Sequence, residues 1–388
     1  VIVSGIGDNG NSQSGGLFVL QFNEPAYAEL SLDYDDAIME SVIPIGESEN
    51  YQIQISNIGE EGSNLSYEFS VSSFENLQGS DNSGNSWSSS DYGIEFDWID
   101  IEGISTPINF INNDSANGTI PIGFEFPIYG QTYNECSVNA NGWIGFGGDS
   151  GAWDNTDLPN SDIPGPALFP FWDDLNPIND NCNQYCAGDV YYYSSPDAFI
   201  ITFDQVAHWW TNFENSFYTF QVILYPSGDI DFNYLNLEGD YDSATIGMQN
   251  SNASDALVMA SNNSASVIDD NFSISVKQVP NWINIGNNGS GNLSDGQSAI
   301  VAVTLDATNL SGGDYNAFLS IDTNVEDISI PINLTVNDAI LLGDINGDGL
   351  LNVQDIVIIV NNYILEGLYS SVADMNQDGQ LNVLDVII

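Results

Sequence analysis

Over most of this chain, apolar residues recur at every second position, in short runs broken by Gly, Asn, Asp and Pro. The stretch Ile43–Ser72, IPIGESENYQIQISNIGEEGSNLSYEFSVS, shows the pattern, with a break at Asn57–Gly59 between two alternating runs. A period of two places successive side chains on opposite faces of an extended strand, so such runs specify half-buried strands rather than helices. The chain from Ala28 to Val336 is therefore expected to be almost wholly β. At 388 residues it is long enough to bury several separate cores.

A second strand-rich stretch, Val279–Val336, reads VPNWINIGNNGSGNLSDGQSAIVAVTLDATNLSGGDYNAFLSIDTNVEDISIPINLTV and supplies about five more strands. Neither stretch has enough strands to close a sandwich alone. Together they resemble one immunoglobulin-like domain of the BACON or hydin-like kind. The expected arrangement is a discontinuous domain, residues 28–83 and 279–338, interrupted by residues 84–278. Ends that lie close together at a surface tolerate such an insertion.

The insert carries FDWIDI (Phe96–Ile101), IPIGFEFPIYGQTYNECSVNANGWIGFG (Ile120–Gly147), LFPFWDDL (Leu168–Leu175) and GDVYYY (Gly188–Tyr193). It continues with FIITFDQV (Phe199–Val206), YTFQVILYPSGDIDFNYLNL (Tyr218–Leu237) and ATIGMQN (Ala244–Asn250). Pro226–Asp229 reads as a hairpin turn and Asn141–Trp143 as a tight turn before a further strand. In their order these blocks resemble a nidogen-like domain. That resemblance implies a compact β-sandwich with a large aromatic core, associated with adhesion and matrix assembly rather than catalysis.

From residue 339 to 388 the pattern changes, because a twelve-residue motif occurs twice. DINGDGLLNVQD (Asp344–Asp355) and DMNQDGQLNVLD (Asp374–Asp385) place side-chain oxygens at loop positions 1, 3 and 5 and Gly at position 6. The expected Ca²⁺ ligands are Asp344, Asn346, Asp348, Leu350, Asn352 and Asp355 in the first loop. In the second they are Asp374, Asn376, Asp378, Gln380, Asn382 and Asp385. Leu350 and Gln380 would act through their carbonyls, completing the oxygen set that a hard cation requires. The pair resembles a type I dockerin, with Asp at position 12 and only a following helix; the first such helix is expected in Ile356–Leu365. The resemblance implies that Val353, Gln354, Val383 and Leu384 contact a partner, a cohesin-like domain in that family. The second helix is expected to be completed by further chain or by another subunit.

Composition narrows the function. One Lys, no Arg and one His stand against 55 Asp plus Glu, for a formal net charge of −54. Nothing neutralises phosphate, which argues against nucleic-acid partners, and no segment is apolar enough to insert directly in a membrane. The apolar content of 42% argues against disorder. Residues 1–27 form an expected strand and linker, VIVSGI and GLFVLQF around GDNGNSQSGG. That strand either frays or pairs with another subunit's sheet edge. Val1 reads as a processed N-terminus. Cys136, Cys182 and Cys186 leave their pairing open. The only imidazole, His208 in AHWW, is expected to pack or stack against a ligand. Asp173–Asp174 on a strand would point to opposite faces and not both reach one bond; they are expected instead to cap a turn or contribute to a calcium site, so no catalytic residue is expected. Trp209, Trp210 and Tyr191–Tyr193 are core residues or sugar platforms.

The fold class expected is mainly β: an immunoglobulin-like sandwich interrupted by a nidogen-like sandwich, with a small α-helical calcium-loop module. The function expected is that of a secreted, calcium-binding structural or adhesive protein at the cell surface, a subunit of a fibre or layer. Its partners would be copies of itself or another surface protein. Two alternatives are an adhesin for glycans or proteins tethered to a cohesin-type scaffold, and a non-catalytic region of a larger secreted hydrolase.

Overall fold

The computed structural model describes residues 26–178, 185–209, 215–262, 264–265, 267–337, 342–346 and 350–387. The N-terminal runs, Cys182, Trp210, Asp348 and Gly349 lie outside these residues. The structure is mainly β. The chain divides into two compact units, one of them built chiefly from Val71–Asn281. The other combines the residues up to Ser70 with Trp282–Tyr315 and the residues from Ser320 on.

The discontinuous unit holds two sheets, and both mix strands from before and after the insertion. One runs Leu30–Tyr34, Ser48–Asn57, Ser298–Asp306, Ile283–Ile285; the other runs Glu40–Pro44, Ile328–Asn337, Gly313–Thr323, Asn64–Ser72, Ser290–Ser294. Ser48–Asn57 pairs antiparallel with Ser298–Asp306 along its whole length, from Ser56↔Ser298 to Ser48↔Asp306. The alternation read from sequence is the alternation of burial. Tyr51, Ile53 and Ile55 face inward on one strand, and Val301, Val303 and Leu305 on its partner. Each such side chain contributes about 1.5–3 kcal/mol relative to exposure.

Asn57 ties the two halves together. Its Nδ2 donates to the Leu293 carbonyl at 3.0 Å and to Ser63 Oγ at 3.1 Å, while its Oδ1 accepts from the Gly59 amide at 3.0 Å.

The inserted unit is a sandwich of a six-stranded and a nine-stranded sheet. Between them lies an aromatic core that includes Phe126, Phe171, Phe203, Phe220, Phe232, Tyr218 and Tyr234. Phe203 stacks on Phe220 with centroids 4.5 Å apart, and Phe171 stacks on the same ring at 5.4 Å. The turn after Gln131–Asn139 needs Gly142: its φ is +76°, and a Cβ there would collide with the Phe171 carbonyl. Pro226–Asp229 forms the hairpin between Phe217–Leu224 and Ile230–Glu238.

Both sheets are also covered on their outer faces. Trp143, Phe169 and Trp172 pack with Leu158 and Ile163 on one side. On the other, Ile99 and Ile101 cover Ile200 and Ile223. The Gln221 amide bonds both the N–H and the carbonyl of Ile99 there, and Asn233 Nδ2 bonds the Asp97 carbonyl at 2.8 Å. Cys186 is disulfide-bonded and Cys136 is a buried free thiol, which excludes the pairings through Cys136.

Candidate metal centre

The duplicated loops fold around their last residue. In the first, Asp355 Oδ1 accepts from the amides of Ile345 (3.1 Å) and Asn346 (3.4 Å), and Oδ2 accepts from Asn352 N (3.0 Å). Position 12 is thereby drawn back onto positions 2 and 3. Asn352 Oδ1 accepts from Gln354 N at 2.8 Å, so Asn352 and Asp355 form a reciprocal capping box that starts the helix Val353–Ile358. That helix continues as a wider, π-type turn over Ile359–Ile364. The motif's Asn-x-x-Asp ending therefore has a helix-starting role in addition to its oxygen content.

The second loop repeats the arrangement. Asp385 accepts from Asn376 N at 3.3 Å and Asn382 N at 2.9 Å, and Asn382 Oδ1 accepts from Leu384 N at 2.9 Å. Asp374, at position 1, accepts from the amides of Asp378 (3.1 Å) and Gly379 (2.8 Å) and from Tyr369 OH (3.0 Å). Asn376 Oδ1 and Asp378 Oδ1 accept from the amides two residues on. Asp355, Asp374 and Asp385 are all buried. Burial pushes the Asp355 and Asp374 carboxyls up, but their hydrogen-bond donors outweigh it and hold both below the usual carboxylate range.

Asp344, Asn346 and Leu350 lie in the described first loop, with the Leu350 carbonyl accepting from Asn352 Nδ2 at 3.2 Å. Gln380 is exposed. Among the described residues, no three His, Cys, Asp or Glu side chains converge closely enough to hold a metal ion. The donor set is nonetheless all oxygen and in the order a hard cation takes, so it fits Ca²⁺ in kind. Gathering it at one point requires carboxylates to turn from backbone amides to the ion. The four residues read as partner-facing, Val353, Gln354, Val383 and Leu384, are all exposed.

A second polar cluster lies in the inserted unit. Asp173 and Asp174 occupy a turn between Ala167–Trp172 and Leu175–Asn176, as expected of residues that cap a turn, and both are buried. Asp173 Oδ1 lies 3.2 Å from His208 Nε2, and Asp173 Oδ2 accepts from Ser243 Oγ at 2.5 Å. His208 is thus packed, at 2% exposure, with its ring edge-on to Tyr218. The carboxylate stands between the imidazole and the hydroxyl, the wrong order for activating a nucleophile. Burial pushes the Asp174 carboxyl up to about 7, opposed by His208 and assisted by Asp114, Asp173 and Asp154. Nothing in the sequence pattern marked Asp114, Asp154 or Ser243 as neighbours of this pair. These residues come from segments far apart in the chain.

These features define a class: a β-rich protein of two sheet-built units, with one β-sandwich inserted in another sheet-built unit. Residues 93–285 match the family model described as NIDO related, which covers just under half of the chain. The inserted unit is accordingly a NIDO-related domain. No curated protein matches the chain. No helix among the described residues is long and apolar enough to cross a membrane.

Proposed function

We propose that this is a secreted, non-enzymatic structural protein that binds two Ca²⁺ ions in its tail and assembles with other copies or another surface protein. The observation that carries this reading is the loop pair. In both copies of one oxygen-rich motif, a buried aspartate at position 12 accepts from the amides of positions 3 and 9. When bound, the ion supplies a bridge between the start and end of each loop. The residues that would hold it are the twelve named above, with Asp348 among them. The NIDO-related domain supports an extracellular structural role, and the near absence of Lys and Arg leaves little for trypsin-like proteases to cut.

Exposed Val353, Val383 and Leu384 favour a second reading, in which the tail docks on a cohesin-like scaffold domain and the chain serves as a tethered adhesin. Negative-stain microscopy of the protein with calcium and with chelator tests the first reading: calcium-dependent fibres or layers are expected, and monomers in both conditions refute assembly. Capture by a cohesin-type domain, lost on Val353→Asp with Val383→Asp, would favour the second.

A further inference from the structure

The strands Ile230–Glu238 and Phe272–Gln278 lie side by side in the nine-stranded sheet, with Ile230 opposite Val276 and Asp231 opposite Ser275. Ile230, Phe232, Ile274 and Val276 belong to the aromatic core. The alternate residues Asp231, Ser275 and Lys277 therefore share the outer face. With Tyr225 and Asp229 of the hairpin turn and Glu95 from the segment after Gly93, they line a surface groove of about 550 Å³. A groove of that size accommodates a small molecule.

Lys277 is the only lysine in a chain with 55 acidic residues, yet among the described residues its ammonium forms no ion pair. It sits instead 5.4 Å from the centre of the buried Phe74 ring. From there it still favours the ionised forms of Asp229 and Asp231. Both carboxylates have nearer hydroxyl donors. Tyr225 OH donates to Asp231 Oδ2 at 3.0 Å, and the Ser275 and Ser227 hydroxyls assist Asp231 and Asp229. Burial outweighs all of these and holds both carboxyls above the usual carboxylate range. Opposite charges that line one groove without touching leave a polar bridge for a third molecule to supply.

The lining residues imply the ligand's chemistry. An anion would meet the carboxylates of Glu95, Asp229 and Asp231, and a metal ion finds no three acidic side chains converging among the described residues. A hydroxyl group suits both kinds of neighbour, because it donates to a carboxylate and accepts from an ammonium at the same time. The half-buried Tyr225 ring and the exposed Pro226 add a flat apolar rim. We propose that this groove binds a pyranose sugar, with Asp229 and Asp231 accepting from its hydroxyls, Lys277 donating to them and Tyr225 flanking the ring. The site lies wholly in the inserted domain and uses no residue of the tail, so the calcium reading stands or falls separately.

Titrating the full-length protein with methyl mannoside, methyl galactoside and cellobiose, followed by saturation-transfer difference NMR, tests this. At least one sugar is expected to bind saturably. Its affinity should fall about tenfold with Asp231→Asn and with Lys277→Gln. It should be unchanged by Glu326→Gln, an exposed residue of the other unit. Lys277→Gln alone decides the matter should Asp231→Asn disturb folding, as near-ultraviolet circular dichroism of each variant would show. Failure of all three sugars to bind overturns the proposal. So does sugar binding that Lys277→Gln leaves intact, which would place the sugar elsewhere on the protein, or a stronger response to glycine or acetate than to any sugar.

Discussion

Asn57 uses both ends of its side-chain amide to hold a loop and a strand from opposite sides of the insertion. Replacing it with Ala leaves the Leu293 carbonyl and Ser63 hydroxyl without that partner inside the fold. Asn57→Ala is expected to lower stability by about 1–3 kcal/mol, read as a shift in the urea midpoint at constant slope. Asp174 makes a prediction of opposite sign. Burial pushes its carboxyl up to about 7, from an ordinary value near 3.8. Between those values the folded state holds a proton that the unfolded state has lost, so stability falls as pH rises from about 4 through 7. Asp174→Asn removes that penalty. It should stabilise the domain at pH 8 and be close to neutral at pH 4, as thermal melts at both values would show. Equal effects at the two pH values would contradict the assignment. The turn at Asp173 and Asp174 was legible in sequence, but their burial was not, because it comes from residues far away in the chain, such as Ser243.

At the scale of elements, alternation was a sound guide where one strand face meets the other sheet and the other meets solvent. Ser48–Asn57 and Ser298–Asp306 follow it closely. It was mute for Phe199–His208, which is buried on nearly every residue because the segment through Ile99 and Ile101 covers its outer face. A continuous apolar run signals burial on both sides, but not which chain segment supplies the cover. The calcium-loop motif was legible in order and spacing, whereas the capping role of Asn352 and Asp355 was hidden behind their oxygen count. That role has its own consequence. In chelator, Asn352→Ala should loosen the helix start by about 1 kcal/mol, seen as faster hydrogen exchange at the amides of Ile356–Ile359. Unchanged exchange there would show the cap to be idle.

For the whole molecule, the two-domain reading rests on pairings that skip some two hundred residues, as between Ser48–Asn57 and Ser298–Asp306. The chain leaves and returns through neighbouring positions: Ser73 Oγ donates to the Gln278 carbonyl at 2.6 Å, and Asn85–Ser89 pairs with Phe272–Gln278. The strand Asn85–Ser89 and its short neighbour Gly79–Ser80 are part of the nine-stranded sheet, so that sheet takes in residues ahead of 84, the start of the insert expected from sequence. Residues 81–84 form the turn between these two antiparallel strands. Residues 71–281 expressed alone are therefore expected to fold and melt cooperatively by near-ultraviolet circular dichroism. A molten spectrum would mean that the sandwich needs its host.

The proposed assembly depends most on the tail loops holding calcium. Calcium titration of the chelator-stripped protein by calorimetry, in 150 mM NaCl with 1 mM Mg²⁺ to screen diffuse attraction, measures this directly. Two saturable sites per chain are predicted, one lost with Asp355→Ala and the other with Asp385→Ala. Absence of saturable binding, or two sites that survive both substitutions, would contradict it.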